Sequence, residues 1–105
     1  MKSAATDLKR LQLRLYIVGG APNSISARSN LAAILSAVPR DSYTLEVVDC
    51  LLEPHRALAE GVLVTPTLVR LAPAPVQTII GSLSNRLAVT ASLGLPQSEG
   101  DRSDA

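Results

Sequence analysis

The chain has 105 residues, of which 47% are hydrophobic and 2% aromatic, and it carries a net charge of +1. This length suffices for one domain with a buried core but not for two. Phe and Trp are absent, so Leu, Val, Ile and Ala must build that core. Weak charge and scarce aromatic residues argue against nucleic acid as a partner, because such surfaces need basic patches and stacking platforms.

Targeting signals and redox chemistry are also constrained. No apolar run is long enough to span a bilayer, and residues 1–10 lack the apolar segment of a secretory signal. We therefore expect a cytoplasmic protein with no membrane partner. A single cysteine, Cys50, and a single histidine, His55, exclude an internal disulfide and most metal sites. We expect no cofactor.

The first half of the chain has a clear pattern. Residues 11–18 alternate apolar and polar at first and then become wholly apolar, which predicts a strand whose C-terminal half is buried on both faces. Asn23 or Ser24 is expected to cap the helix that follows. Helical spacing recurs at Ala27, Leu31, Ile34, Leu35 and Val38. Residues 43–49 then alternate as a second strand, which completes a right-handed βαβ unit.

The second half contains a proline in an unusual place. Pro66 interrupts the apolar, β-branched run 62–71, where it cannot donate a ladder hydrogen bond. We expect Pro66 to open a strand after a tight bend, with a cis Thr65–Pro66 bond. A short helix over residues 51–60, with Pro54 in its first turn, is predicted before this run.

The remaining segments complete the fold. Residues 62–71 and 76–80, separated by Pro73 and Pro75, are predicted to form an antiparallel hairpin. A last helix follows Gly81, capped by Ser82 or Ser84. The resulting order, βαβαββα, is an α/β thioredoxin-like fold over residues 11–95. Residues 1–10 are expected to be a flexible lead-in, and residues 96–105 a polar disordered tail.

Three separated motifs carry a family resemblance. They are YIVGGAPNS at residues 16–24, VTPTL at 64–68 and IIGSLS at 79–84. Together they resemble the KaiB family of bacterial circadian clock adaptors, and the match extends from Leu13 to Leu93. The resemblance implies a KaiC-type ATPase as partner, with KaiA-type proteins or histidine kinases as further partners in a circadian or related timing or stress system.

The resemblance also implies a change of fold. KaiB proteins switch between a self-associated ground state, βαββααβ, often tetrameric, and a monomeric thioredoxin-like state that binds KaiC. The residues offer a physical basis for this switch, since the apolar runs beyond Leu51 are too short to be typed as helix or strand. Pro66, Pro73, Pro75 and Gly81 lie in this half and are the predicted fold-switch positions.

The chain departs from the family where many members carry charge. Many KaiB sequences have a basic residue where this chain has Ser26, and acidic residues where it has Ser82 and Asn85. All three residues of this chain are uncharged. Charge at an interface sets steering and partner choice, so these changes concern partner specificity more than fold. Arg28 offers a replacement positive charge on the first helix.

Redox and ligand sites have plain interpretations. A dithiol thioredoxin has cysteines where this chain has Ala21 and Ser24, so dithiol exchange cannot occur there. Cys50 is interpreted as a small buried hydrophobe and His55 as a solvated side chain. The alternative function is glutathione binding, as in a transferase-like half-domain. In that case the backbone beside Pro66 would pair with the glutathione peptide. Ser24 and Gly81–Ser82 would face its carboxylates.

We favour a non-enzymatic adaptor that works by competitive binding and fold switching. Its expected contact surface is an exposed face of the βαβ unit, made by Tyr16, Ala21, Pro22, Asn23, Ser24, Arg28, Glu46 and Asp49.

Overall fold

The computed structural model describes residues 10–95, whose elements follow the predicted order βαβαββα. The strands are β1 (Leu11–Ile17), β2 (Tyr43–Asp49), β3 (Thr67–Ala72) and β4 (Gln77–Ile80). The helices are α1 (Pro22–Leu35), α2 (Pro54–Ala59) and α3 (Arg86–Leu93), with a 3-10 turn at Arg40–Ser42. Except for Arg10, the predicted lead-in and tail lie outside the described residues.

The four strands form one mixed sheet in the order β2-β1-β3-β4. β1 is parallel to β2, with Arg14 beside Glu46, and antiparallel to β3, with Tyr16 beside Thr67. β3 and β4 form the predicted antiparallel hairpin. Because β1 and β2 run in the same direction, α1 must cross over one face of the sheet to connect them.

The larger core lies between the sheet and the helices α1 and α3. β1 places alternate leucines on this face, where they meet the apolar side of α1 and one leucine of β3. Its buried members are Leu11, Leu13, Leu15, Ile17, Ala27, Leu31, Ile34, Leu35, Leu68, Leu83, Val89 and Leu93. The helical spacing predicted for α1 is thus confirmed. The helix itself ends at Leu35, and Val38 packs against the core from the following turn, since the residue before Pro39 disfavours helical geometry.

A second, smaller core lies on the opposite face of the sheet. Tyr16 and Val48 are fully buried there and pack with Ala57 of α2. Cys50 packs at the margin of this cluster, and its partial burial raises the pKa of its thiol. Because β1 carries buried side chains on both faces at its C-terminal end, the predicted two-sided burial of this segment is confirmed.

Both predicted helix caps were wrong. α1 begins at Pro22, with Ala21 at its N-cap position and no side-chain cap. Proline suits the first helical position, since the N–H that it lacks would have no partner within the helix. Ser24 instead lies in the first turn of the helix. The cap of α3 is the side chain of Asn85, which accepts a hydrogen bond from Ala88 N at 3.1 Å, rather than Ser82 or Ser84.

Pro66 resolves its conflict with the strand as predicted. The Thr65–Pro66 bond is cis, and β3 begins at the next residue. The proline is buried, and its carbonyl oxygen accepts a hydrogen bond from Gly81 N at 2.9 Å. β3 is a central strand, where a proline would break the hydrogen-bond ladder. Because its ladder begins at Thr67, the N–H that Pro66 lacks is not needed there.

Arg70 is a buried cation that sequence analysis did not single out. Its guanidinium donates hydrogen bonds to Ser92 O at 3.1 Å and to Pro75 O at 2.8 Å. These carbonyls belong to the last turn of α3 and to the β3–β4 connection, so one side chain joins both. The end of a helix also presents the negative end of its dipole, which suits a cation.

Candidate partner-binding surface

Three hydrogen bonds order the loops at the C-terminal ends of β1 and β2. Val18 N donates to Ser24 Oγ at 3.0 Å. The Asp49 carboxylate accepts from Gly19 N at 3.2 Å and from Leu51 N at 2.9 Å. Asp49 therefore ties the β1–α1 loop to the loop that follows β2. Gly19 has a φ of +40°, a left-handed conformation that favours glycine. A Cβ there would lie 3.2 Å from Leu51 Cδ1, so the exposed Leu51 side chain would have to shift by a few tenths of an ångström.

Replacing Asp49 with alanine is expected to loosen both loops, because the amides of Gly19 and Leu51 lose their acceptor. Amide hydrogen exchange should accelerate by about tenfold at these two residues, in line with a lost hydrogen bond of about 1–1.5 kcal/mol. The matched control is Asp41→Ala, which removes an exposed carboxylate from the 3-10 turn. Equal exchange at Gly19 in the two variants would contradict this role for Asp49.

A groove of about 560 Å³ runs between α1 and the outer strand β2. Its lining residues are Leu15, Gly19, Ile25, Arg28, Ser29, Leu31, Ala32, Leu45 and Val47. Leu45 and Val47 point toward the α1 face by strand alternation, yet they remain 36% and 37% exposed because α1 does not cover the edge strand. Ile25 on α1 is 55% exposed on the other side. The groove is therefore apolar, with Arg28 as the charged residue of its lining.

The outer edge of β2 borders this groove. In the described part of the chain, β2 pairs with β1 alone and ends the sheet. An edge strand presents unpaired backbone N–H and C=O groups, which can pair with an added strand. A protein segment at this place could thus pair with the free backbone groups of β2 and also contact the apolar groove and Arg28.

Of the predicted contact residues, Arg28 lines the groove. Pro22, Asn23 and Arg28 are exposed on α1, and Ala21 is partly exposed just before it. The prediction missed Ile25, Leu45 and Val47. The alternation of β2 places Leu45 and Val47 on one face, but their partial exposure follows from the edge position of β2, which the alternation does not reveal.

Three predicted residues do not belong to the surface. Tyr16 was wrongly expected on an exposed face, since it is fully buried beneath α2. Ser24 is buried too, and its hydroxyl oxygen supports the β1–α1 loop. Glu46 is exposed, but it lies on the sheet face opposite the groove, because it alternates with Leu45 and Val47.

Glu46 belongs to a group of ion pairs that we call the ionic cluster, formed by Arg14, Glu46, Arg56 and Glu60. Arg14 Nε donates to Glu46 Oε1 at 2.9 Å, and Arg14 Nη1 donates to Glu60 Oε1 at 2.6 Å. Arg56 Nη1 donates to Glu46 Oε2 at 2.6 Å, and its Nη2 donates to Glu46 Oε1 at 3.1 Å. Hydrogen bonds from Arg56 and then Arg14 lower the pKa of Glu46 to about 2, from an ordinary value of 4.5.

This pKa predicts a specific acid sensitivity. Because the folded-state pKa of Glu46 is depressed, its stabilising contribution is fully present above its ordinary value of 4.5 and is lost as the pH falls toward about 2. Urea unfolding at several pH values between 2 and 6 should show a smaller loss of stability in Glu46→Gln than in the wild type. Parallel pH curves for the two proteins would contradict the pairing.

Two of the groups expected to face the glutathione carboxylates have partners within the domain. Ser24 Oγ accepts from Val18 N, and Gly81 N donates to Pro66 O. His55 lies exposed on α2. Among residues 10–95 there is no cluster of three or more His, Cys, Asp or Glu side chains that could hold a metal ion. No helix in that range is long and apolar enough to cross a membrane.

The element order, the sheet order, and Ala21 and Ser24 at the two cysteine positions define a thioredoxin-fold domain without a dithiol. A family model described as the KaiB domain matches residues 14–95. The chain belongs to the KaiB family of circadian clock proteins.

Curated relatives support this assignment. The chain is 43% identical over 79 residues to the circadian clock protein KaiB3 of Synechocystis sp., a match that covers 75% of this chain and 78% of that protein. It is 45% identical over 83 residues to the circadian clock oscillator protein KaiB of Prochlorococcus marinus, covering 79% of this chain and 70% of the relative.

Solved structures support the fold. The N-terminal domain of Synechococcus elongatus SasA is similar with a TM-score of 0.65 and 26% identity, covering 86% of this chain and 89% of that domain. Mitochondrial thioredoxin 3 of Saccharomyces cerevisiae is similar with a TM-score of 0.68 and 16% identity, covering 87% of this chain and 83% of that chain. The second likeness concerns the fold alone.

Proposed function

We propose that this protein is a non-enzymatic, cytoplasmic adaptor that binds a KaiC-type ATPase through the groove between α1 and β2. The observation that carries the proposal is the half-exposed apolar pair Leu45 and Val47 beside the unpaired edge of β2. An apolar strip bordered by free backbone groups suits an extended or loop segment of a protein partner. Arg28 at the groove favours a partner segment that carries a carboxylate.

The relatives' names supply the biological setting, which is a circadian or related timing system. Competitive binding is the expected mode of action, because two domains of one fold can occupy the same surface of a shared partner. The likeness to the SasA N-terminal domain supports this expectation. KaiA-type proteins and histidine kinases are proposed as further partners.

Fold switching and self-association as a dimer or tetramer are part of the proposal. Pro66, Pro73, Pro75 and Gly81 all lie in the half of the chain that would rearrange. Ser26, Ser82 and Asn85 remain the positions where partner specificity is expected to differ from many relatives. Asn85 has a local role as well, since its side chain caps α3.

The test of binding mixes the full chain with a KaiC-type ATPase from the same genome and follows the complex by native mass spectrometry, with ATP and with ADP. A nucleotide-dependent complex is expected. Isothermal titration with glutathione runs in parallel and should show no binding. Absence of a complex in every phosphorylation state of the ATPase, together with saturable glutathione binding, would overturn the adaptor in favour of the alternative.

Fold switching has its own test. Amide NMR spectra at several protein concentrations should show two sets of resonances for residues beyond Leu51 and nearly one set before it. A change in the ratio of the two sets with concentration would connect the switch to self-association. A single set at all residues and all concentrations would overturn fold switching while leaving the binding proposal intact.

A further inference from the structure

Helix α2 has little apolar attachment to the sheet. It spans six residues, and Ala57 is its buried member, whereas Leu58 is 74% exposed. A helix this short is unstable on its own, because the cost of the first turn is not recovered over so few residues. Other contacts must therefore hold it in place.

The ionic cluster supplies side-chain bonds between α2 and the sheet. Arg56 lies within α2 and Glu60 is its C-cap residue, while Arg14 and Glu46 are adjacent on β1 and β2. Each of the two arginines bonds a glutamate on a different element, so the cluster ties the helix to both strands. Glu53, at the N-cap, adds a longer contact to Arg56 Nη1 at 3.6 Å.

The helix covers the smaller core. Tyr16 and Val48 lie fully buried beneath α2, and Val62 and Val69 pack at the margin. The larger core on the opposite face contains residues of β1, α1, β3 and α3 but none of α2. Loss of α2 from the sheet would therefore uncover Tyr16 while leaving the larger core packed.

We propose that Arg14, Glu46, Arg56 and Glu60 form an ionic latch that holds residues 51–65 over Tyr16 and Val48 and opens without unfolding the rest of the domain. The latch needs no partner and no second fold, so it goes beyond the proposed function. Its natural sensitivity is to ionic strength, because the pairs are partly exposed to solvent and salt weakens the attraction between such charges.

Hydrogen exchange measures the opening directly. The amides of Glu60, Gly61 and Val62 donate to Arg56 O, Leu58 O and Ala57 O, so they exchange when α2 detaches. Glu46→Gln should accelerate their exchange by about tenfold, equivalent to about 1.4 kcal/mol, with the β1 amides unchanged. Glu60→Gln removes one pair and should give a smaller acceleration. The matched control is Glu53→Gln, whose longer contact predicts a change of less than about twofold.

Tyrosine fluorescence supplies a second readout, since the chain has two tyrosines and no tryptophan. In a Tyr43→Phe background, the emission reports Tyr16 alone. Acrylamide quenching should rise when NaCl is increased from 0.05 to 1 M, a range in which the screening length falls from more than about 10 Å to about 3 Å. Adding Glu46→Gln should raise quenching at low salt and remove most of the salt dependence.

The latch would be overturned by any of three results. One is exchange in α2 that Glu46→Gln leaves unchanged. Another is an equal acceleration in β1 and α2, which would indicate global destabilisation. The third is Tyr16 quenching that does not depend on salt in the wild-type charge background. None of these measurements uses the ATPase, so a failure of the latch is distinct from a failure of the proposed function.

Discussion

Replacing Leu68 with alanine is expected to lower the free energy of unfolding by about 2–5 kcal/mol, the range found for leucine truncation in a packed core. Leu68 is 0% exposed in the central strand β3, beside Leu15 on β1 and Ile79 on β4. Neighbours on both strands limit the collapse of the resulting cavity. Since small domains are stable by about 5–15 kcal/mol, this single change should remove a large share of the total.

The measurement is urea unfolding followed by circular dichroism, with Leu63→Ala as the matched control. Leu63 has the same side chain but is 88% exposed, so its truncation should change the stability by less than about 0.5 kcal/mol. Similar unfolding midpoints for the two variants would show that β3 is not packed in this core in solution.

Replacing Val47 with arginine is expected to weaken binding to a KaiC-type ATPase by about 100-fold, or about 2.7 kcal/mol, as for a contact near the centre of an interface. Val47 lines the groove and is 37% exposed, so a longer side chain fits without disturbing the core. The new charge would occupy the groove and stand near Arg28, which removes both the apolar contact and the favourable charge pattern.

Thr44→Arg is the control for this change. Thr44 lies on the same strand and is also exposed, but alternation places it on the face opposite the groove. Affinity should be measured by biolayer interferometry after circular dichroism has confirmed that both variants are folded. Equal affinities for the two variants would move the binding site away from the groove, even if a complex with the ATPase exists.

The two faces of β2 carry different kinds of side chain. On one face, Leu45 and Val47 line the groove that we propose as the binding site. On the other, Glu46 takes part in the ion pairs with Arg14 and Arg56. Because neighbouring residues of a strand point to opposite faces, we expect that the proposed binding and the proposed opening of α2 can be altered independently by mutation.

Local patterns were sufficient to predict most of the fold. The spacing of Ala27, Leu31 and Ile34 identified α1, and the alternation of residues 43–49 identified β2. These predictions succeeded because each depends on the periodicity of one element. The two helix caps failed for different reasons. α1 begins at Pro22, earlier than predicted, so Asn23 and Ser24 lie inside it. Several polar residues precede α3, and the choice among them depends on how the chain enters the helix.

The candidate site was predicted less well, and Tyr16 shows why. The wholly apolar end of β1 already indicated burial on both faces, and the structure confirms that burial. Which element covers the second face could not be inferred from β1 itself. That face is closed by α2, whose position depends on ion pairs between residues 32 and 46 positions apart.

Pro66 and β2 illustrate the difference between features that a local sequence pattern predicts and features that depend on tertiary contacts. The place of Pro66 in an apolar, β-branched run was enough to predict that an edge or central strand opens there, because proline cannot donate a ladder hydrogen bond. The position of β2 at the sheet edge, where Leu45 and Val47 stay partly exposed, and the pairing of Glu46 with two arginines are visible only in three dimensions. Strand order and helix placement arise from contacts between residues that are far apart in sequence. The periodicity of a single element contains no information about such contacts.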